Sequence, residues 1–412
     1  MKLLIKNIKQ LVQVREESPV WIAGADMKHL PLIENAWLAV EDGKIADFGK
    51  MEDWPGISDW RDLEVIDAEG KIVMPAYVDS HTHIVYAGSR ESEFVDRING
   101  LTYEDIAARG GGILNSAAKL EKASEEELLQ HALERLEMIR RSGTGAVEIK
   151  SGYGLSTEAE LKILRVIQKL KSISPLTIKA TFLGAHAFPA KYKENKQAYV
   201  DLIIQEMLPQ IAKENLADYC DVFCERNYFS IEQSTEILMA AKHLGLTPKV
   251  HANQMSRSGG VQVGVKTGAI SVDHLEFVED EEIAALRGSH TMPTLLPGAQ
   301  WFLSLPVPPA RKMIDSGLPV AIATDYNPGS CPSGNMNFML SLACVQYNMN
   351  PEEVINASTI NTAYAMGVSD ELGSITVGKK ANLMITRNIP SYAYIPYAFA
   401  MDMIERVLIE GK

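Results

Sequence analysis

Ile72-Val73-Met74-Pro75-Ala76-Tyr77-Val78-Asp79-Ser80-His81-Thr82-His83 is an apolar run that closes on two histidines one residue apart. In an extended strand, residues i and i+2 face the same way, so both imidazoles can reach one metal ion, whereas a helix would point them apart. A bare His-x-His is more often a pair of solvent-facing or hydrogen-bonded histidines. What surrounds the pair has to decide.

Downstream of it, strand-like segments alternate with helical ones, the mark of a parallel β/α arrangement. The strand candidates are residues 76–83, 145–150, 177–186, 219–225, 247–253, 270–275, 291–296 and 319–325. Between them, Ser124-x-x-Glu127, Thr157-x-x-Glu160 and Ser230-x-x-Gln233 read as capping boxes, and Asn350-Pro351 as an N-cap with Pro at the first helical position. Gly143 and Gly245 stand where helices would stop. Eight consecutive units match a closed barrel better than an open doubly wound sheet, and no Gly-x-Gly-x-x-Gly turn supports a dinucleotide fold.

Both ends of the chain read differently. Trp37-Leu38-Ala39-Val40 and Ile45-Ala46-Asp47-Phe48 flank the hairpin turn Glu41-Asp42-Gly43-Lys44, residues 373–386 read as turn, strand, turn, strand, and residues 406–412 as a last strand. The expected fold is therefore α/β: a (β/α)8 TIM barrel over residues 71–368, with a smaller β-sandwich domain built from residues 1–70 and 369–412.

With 46% hydrophobic and 23% charged residues the chain has ordinary globular composition, and its formal net charge of -13 argues against nucleic acid, which needs clustered Lys and Arg. No stretch approaches the roughly 18 apolar residues of a membrane span, and Met1-Lys2-Leu3-Leu4-Ile5-Lys6 lacks the apolar core of a secretion signal. Four cysteines without a disulfide framework fit a reducing compartment, and Cys220 and Cys224 read as buried thiols of a strand. The expectation is a cytoplasmic protein with a small-molecule substrate, no nucleic-acid partner and no membrane.

In a barrel of this kind the working residues sit at the C-terminal ends of the strands. Here the first strand ends in His81 and His83, the third in His186, the fifth in His251, the sixth in His274 and the eighth in Asp325. Only His29, His131, His243 and His290 fall elsewhere. Three neutral imidazoles and a carboxylate suit Zn²⁺ or Fe²⁺ and leave a position for water, whose pKa falls by several units on binding. The implied reaction class is metal-assisted hydrolysis.

His81-Thr82-His83, the β-rich ends, the lone strand-end histidines and Ala323-Thr324-Asp325 together resemble the amidohydrolase superfamily. Within it, Val85-Tyr86-Ala87-Gly88-Ser89-Arg90-Glu91-Ser92-Glu93-Phe94, Gly110-Gly111-Gly112-Ile113, Glu148-Ile149-Lys150-Ser151-Gly152-Tyr153-Gly154-Leu155 and Thr324-Asp325-Tyr326-Asn327-Pro328-Gly329-Ser330 resemble the imidazolonepropionase family, in family order along most of the chain. The resemblance implies opening of 4-imidazolone-5-propanoate to N-formimidoyl-L-glutamate in histidine degradation. It implies one Zn²⁺ or Fe³⁺ per subunit on His81, His83, His251 and Asp325, and substrate contacts at Tyr153, His186, Asn327, Gly329 and Ser330. It also makes His274 the non-ligand histidine of the site.

The residues themselves are compatible with that reading. A substrate propionate needs a fixed cation, and Arg90, just past the first strand, can grip a carboxylate with two N–H groups; its alternative is to pair with Glu91 or Glu93. The expected mechanism has metal-activated hydroxide attack the ring carbonyl, the metal and His274 hold the oxyanion, and Asp325 carry the proton to the departing nitrogen.

One position departs from the family. Many imidazolonepropionases carry Glu three residues after the fifth-strand ligand, where this chain has Gln254. An amide is neither acid nor base, so the expected role of Gln254 is a hydrogen bond to a ring nitrogen. The same amide speaks against the related aromatic deaminases, which use the Glu as an acid. Dihydroorotase-type cyclic amidases use a carboxylated Lys on a middle strand; Lys150 ends the second strand, and the third and fourth end in His186 and Glu225, so a mononuclear site is expected. A non-catalytic scaffold would lack ligands, and all ligand positions are filled. A homodimer is expected, with Pro297-Gly298-Ala299-Gln300-Trp301-Phe302-Leu303 either capping the site or forming an interface. Gly110-Gly111-Gly112 reads as a lid hinge or a tight turn, and Tyr103 as a pocket-rim or packing residue.

Overall fold

A computed structural model describes residues 2–57, 61–101, 105, 109 and 111–412. The expectations for Tyr103 and Gly110 lie outside the described residues. The chain opens with β1 (Lys2–Val12), followed by β2 (Leu32–Glu41), β3 (Lys44–Lys50), β4 (Leu63–Asp67) and β5 (Ile72–Pro75). The hairpin turn falls on Asp42 and Gly43, with φ of 48° and 79°, the left-handed pair that a two-residue hairpin requires.

The next eight strands are β6 (Tyr77–Thr82), β7 (Thr144–Lys150), β8 (Thr177–Ala185), β9 (Tyr219–Cys224), β10 (Thr247–Ala252), β11 (Ser271–His274), β12 (Met292–Leu295) and β13 (Ala321–Ile322). They pair in chain order, every described pairing parallel, and helices occupy the connections. Barrel closure runs between the first and last of them. Thr82 bridges Tyr326, the His83 N–H donates to the Tyr326 carbonyl at 2.9 Å, and the Asp325 N–H donates to the His81 carbonyl at 2.9 Å. The seam of the barrel is thus the place where His81, His83 and Asp325 meet.

The eighth strand is shorter than residues 319–325, for a local reason. The buried Asp79 carboxylate accepts from the Thr324 N–H at 3.0 Å and the Thr324 hydroxyl at 2.6 Å, and Asp325 turns left-handed with φ of 55°. Those groups replace ladder pairing and aim the Asp325 side chain.

Finally β14 (Leu383–Thr386) and β15 (Ile404–Leu408) return to the N-terminal strands in the order β15-β14-β5-β1-β2-β3, with β4 also on β1. This seven-stranded terminal sheet carries its own core, including Leu3, Ile5, Ile8 and Leu11 of β1. Ile5 and Ile8 are three apart and would fall on opposite faces of a regular strand. A bulge between them, with Asn7 at φ of 56°, brings both to the core.

The caps follow the sequence at Ser124, at Ser230 with Gln233, and at Asn350 with Glu353. The helix Thr157–Ile173 is capped one residue earlier than expected, by Ser156, which accepts from the Ala159 N–H. Glu160 turns inward instead, accepting from the N–H groups of Gly152, Gly154 and Leu155 at 3.0, 2.7 and 2.9 Å. It fixes the loop that carries Tyr153. No helix among the described residues is long and apolar enough to cross a membrane.

Candidate metal centre

His81 and His83 close β6 on the same side, as their spacing requires. His81 Nε2 and His83 Nε2 lie 3.5 and 3.6 Å from Asp325 Oδ1, and His81, His83 and Asp325 form one cluster of ligand atoms within 4.8 Å. His81, His251 and His274 form a second, so His81 is common to both. The His251 ring, at the end of β10, stands 4.4 Å from that of His81 and 5.6 Å from that of His83. All five side chains are buried.

The histidines are oriented from behind. His81 Nδ1 lies 2.6 Å from Asp273 Oδ2, and His251 Nδ1 lies 3.0 Å from Asp221 Oδ2. At His81 the carboxylate hydrogen-bonds Nδ1, which fixes that nitrogen as the donor and leaves the Nε2 lone pair for a metal; at His251 the carboxylate stands at ion-pair distance without a hydrogen bond to Nδ1. His81 Nε2 and His251 Nε2 are both buried with no hydrogen-bond partner among the described residues. Buried polar atoms are normally paired, so orphaned imidazole nitrogens beside a carboxylate suit a cation. Burial holds the His81 and His83 pKa values well below the usual histidine range, helped by neighbouring imidazoles and Lys150. Burial likewise takes His186 down to about 3 and His274 to about 4. Neutral imidazole is the ligating form.

Beneath the histidines lies a set of buried charges that the sequence reading did not assign. Lys150 Nζ is 2.6 Å from Glu148 Oε1 and 2.8 Å from Asp221 Oδ2; Lys249 Nζ reaches Glu148 Oε2. These residues and Asp273 are fully buried. Burial alone would lower the Lys150 pKa, but Asp221, Glu148 and Asp273 outweigh it and raise it. Lys150 is a paired ammonium. A signal was present: charges at alternate positions of β7, and a single acid in each of β9, which is otherwise apolar, and β11.

A cavity of about 810 Å³ opens above the cluster. His83, His186, His251, His274 and Asp325 line its floor, and Arg90, Gln254, Asn327, Gly329 and Ser330 its walls. Arg90 donates through Nε and Nη2 to Glu93 Oε2 at 2.9 and 2.5 Å, the partner named as its alternative. Tyr153 is not in the lining. Its ring stands behind His83 and His186, at 5.7 and 5.4 Å. Asn327 spends its amide on its own turn: Oδ1 accepts from the Gly329 and Ser330 N–H groups at 2.7 and 2.8 Å, and Nδ2 donates to the Asp325 carbonyl at 2.7 Å. The Ser330 hydroxyl donates to Asp325 Oδ2 at 3.0 Å. The helix Pro297–Leu303 brings Trp301 and Phe302 to the mouth, where Phe302 stacks on Phe94.

A parallel eight-stranded barrel with a buried His/Asp cluster at the strand ends and a terminal sheet defines a hydrolase of the amidohydrolase class, and the family model described as "Amidohydrolase family" matches residues 72–412. Imidazolonepropionase of Flavobacterium johnsoniae is 60% identical over 409 residues, covering 99% of both chains. That of Christiangramia forsetii is 58% identical over 412 residues, covering all of both. The chain belongs to the amidohydrolase family, on its imidazolonepropionase branch. Among solved structures, a triazine hydrolase variant shares the fold with a TM-score of 0.76 at 16% identity, covering 100% of this chain and 94% of that one. The guanine deaminase of E. coli gives 0.73 at 15%, covering 100% and 98%.

Proposed function

We propose that this chain opens 4-imidazolone-5-propanoate to N-formimidoyl-L-glutamate by hydrolysis of the ring amide, using one Zn²⁺ or Fe³⁺ per subunit on His81, His83, His251 and Asp325. The observation that carries the reading is the clustering of His81 with His83, Asp325 and His251 directly beneath a cavity whose floor includes His83, His251 and Asp325 and whose wall holds the Arg90 guanidinium. A bound cation supplies an acidified water and polarises the ring carbonyl.

The chain's own residues do the rest. Arg90 holds the propionate in place. Asp325, kept in position by Ser330 and by the turn that Asn327 builds, accepts a proton from the attacking water. As oxygen bonds to the carbonyl carbon the C–N bond breaks, its electron pair stays on nitrogen, and Asp325 returns the proton there. His274 faces the same cavity and stabilises charge developing on the carbonyl oxygen. Gln254 contacts a ring nitrogen through its amide. Lys150, already ion-paired, supports a mononuclear centre over one bridged by a carboxylated lysine. The same proposal takes residues 71–368 as the catalytic domain, although its first strand β5 (Ile72–Pro75) pairs within the terminal sheet, residues 1–70 and 369–412 as the accessory one, a homodimer as the assembly and the cytoplasm as the location.

The test is freshly generated imidazolonepropionate, followed by loss of its ultraviolet absorbance, beside dihydroorotate, hydantoin and cytosine. Faster turnover of any comparison compound overturns the assignment.

A further inference from the structure

The charges under the metal cluster are arranged with a direction. Asp221 on β9 faces His251 with both oxygens, Oδ2 lying 3.0 Å from Nδ1 as an ion-pair contact and Oδ1 accepting the His251 backbone N–H at 3.1 Å. Asp273 on β11 lies 2.6 Å from His81 Nδ1, and its other oxygen accepts from the Ser271 hydroxyl at 2.6 Å. Lys150 on β7 stands between the two carboxylates, 2.8 Å from Asp221 Oδ2 and 3.8 Å from Asp273 Oδ2. Glu148 holds Lys150 in turn, and is itself fixed by the Thr181 hydroxyl at 2.6 Å and by Lys249. Lys249 also donates to the carbonyl of Ser80, the residue before His81, at 3.2 Å.

As core packing this is an expensive choice. Each ion removed from water is costly before pairing, and barrel interiors are ordinarily filled with Val, Ile and Leu. What apolar layers cannot do is fix an imidazole tautomer. We infer that Lys150 is the shared anchor of two metal-ligand histidines, acting on His251 through Asp221 and on His81 through Asp273, and that it makes the two arms energetically dependent on each other. The inference rests on the metal-site reading above. Two lysines against three carboxylates leave one formal negative charge beneath the imidazoles, complementary to a cation above them.

The dependence has a definite sign. When one carboxylate loses its charge, the ammonium still has the other within reach. When both lose it, Glu148 alone must compensate two buried ammonium groups, Lys150 and Lys249. Zn²⁺ affinity of the apo enzyme, measured by competition with a chromophoric chelator, reads this directly. Asp221→Asn and Asp273→Asn each weaken Zn²⁺ binding about 10- to 100-fold, and the double variant loses more than the product of the two. In a Lys150→Met/Glu148→Gln background the two losses simply multiply. Single variants that bind Zn²⁺ like the wild type, or a plain product with Lys150 present, overturn the inference. A wild-type enzyme that binds no Zn²⁺ overturns the metal site with it, so the two failures are distinguishable. Should a variant not fold, ¹⁵N-histidine NMR of the wild-type Zn²⁺ enzyme tests the two arms directly: His81 and His251, alongside His83, are expected to ligate through Nε2 with protonated Nδ1, and ligation of His81 or His251 through Nδ1 overturns the inference.

Discussion

Arg90 and Glu93 form a fixed pair at the cavity wall. The Glu93 carboxylate takes two N–H groups of the guanidinium and also accepts from the Gly112 N–H at 3.2 Å and Asn115 Nδ2 at 3.1 Å. Arg90 Nη1 points the other way, so close to Gly329 that a Cβ there would stand 2.0 Å from it. A guanidinium has five N–H donors, and the two given to Glu93 fix its orientation. Arg90→Met should lower kcat/KM for a substrate bearing the propionate about 10- to 100-fold, the worth of charge-assisted hydrogen bonds. An analogue lacking the carboxylate should change little. Equal losses for both compounds would remove Arg90 from substrate recognition.

His274 lines the floor beside Asp325 and sits with φ of 89°, a backbone angle that costs a non-glycine residue energy and marks a position held by its surroundings. His274→Asn should leave metal content near one per subunit while kcat falls about 10²- to 10³-fold, as for loss of an oxyanion donor. Metal analysis and turnover on the same preparation separate the alternatives. Metal lost along with activity would make His274 a ligand, and unchanged turnover would end its catalytic role.

How much of this was legible in the sequence depends on whether the partner is local. His81 and His83 needed only a strand, and the strand ends at His186, His251 and His274 only the alternation of β and α. Asp273 is separated from His81 by 192 residues, and nothing in either segment names the other. Asp221 and Lys150 were likewise visible as charges in apolar strands, but their partners are set by barrel geometry. Glu160 failed in the opposite sense. Its spacing from Thr157 fits a capping box, yet three backbone N–H groups of the Tyr153 loop compete for the carboxylate and win. Asn327 is spent on its own turn for a similar reason: the Gly329 and Ser330 amides, two and three residues on, compete for its carbonyl and win.

Gln254 is 8% exposed and faces the cavity three residues past His251. If its role is a hydrogen bond to the ring, shape and polarity matter more than charge. Gln254→Leu should then lower kcat/KM about tenfold, the worth of roughly 1.4 kcal/mol, whereas Gln254→Glu should keep activity within that range, with a pH profile that now follows the added carboxyl. Full activity in Gln254→Leu would show that the amide contacts nothing that matters in the transition state.

Lys379 offers a pH test of stability remote from the metal. Its side chain is 5% exposed, donates to the Leu372 carbonyl at 2.8 Å, and burial lowers its pKa from 10.5 to about 8, against a smaller opposing effect of Asp370. Between about pH 8 and 10.5 the unfolded chain holds a proton that the folded chain does not, so this residue makes stability rise with pH across that window. Below it both states are protonated and the cost of burying the charge is fully present. Lys379→Met removes the titration. Urea unfolding of both proteins should show the stability difference moving toward the wild type by about 2 kcal/mol between pH 7 and 10.5, a discounted value for a group that retains some contact with solvent. A difference that stays flat over that range would mean the Lys379 ammonium is not penalised in the folded state.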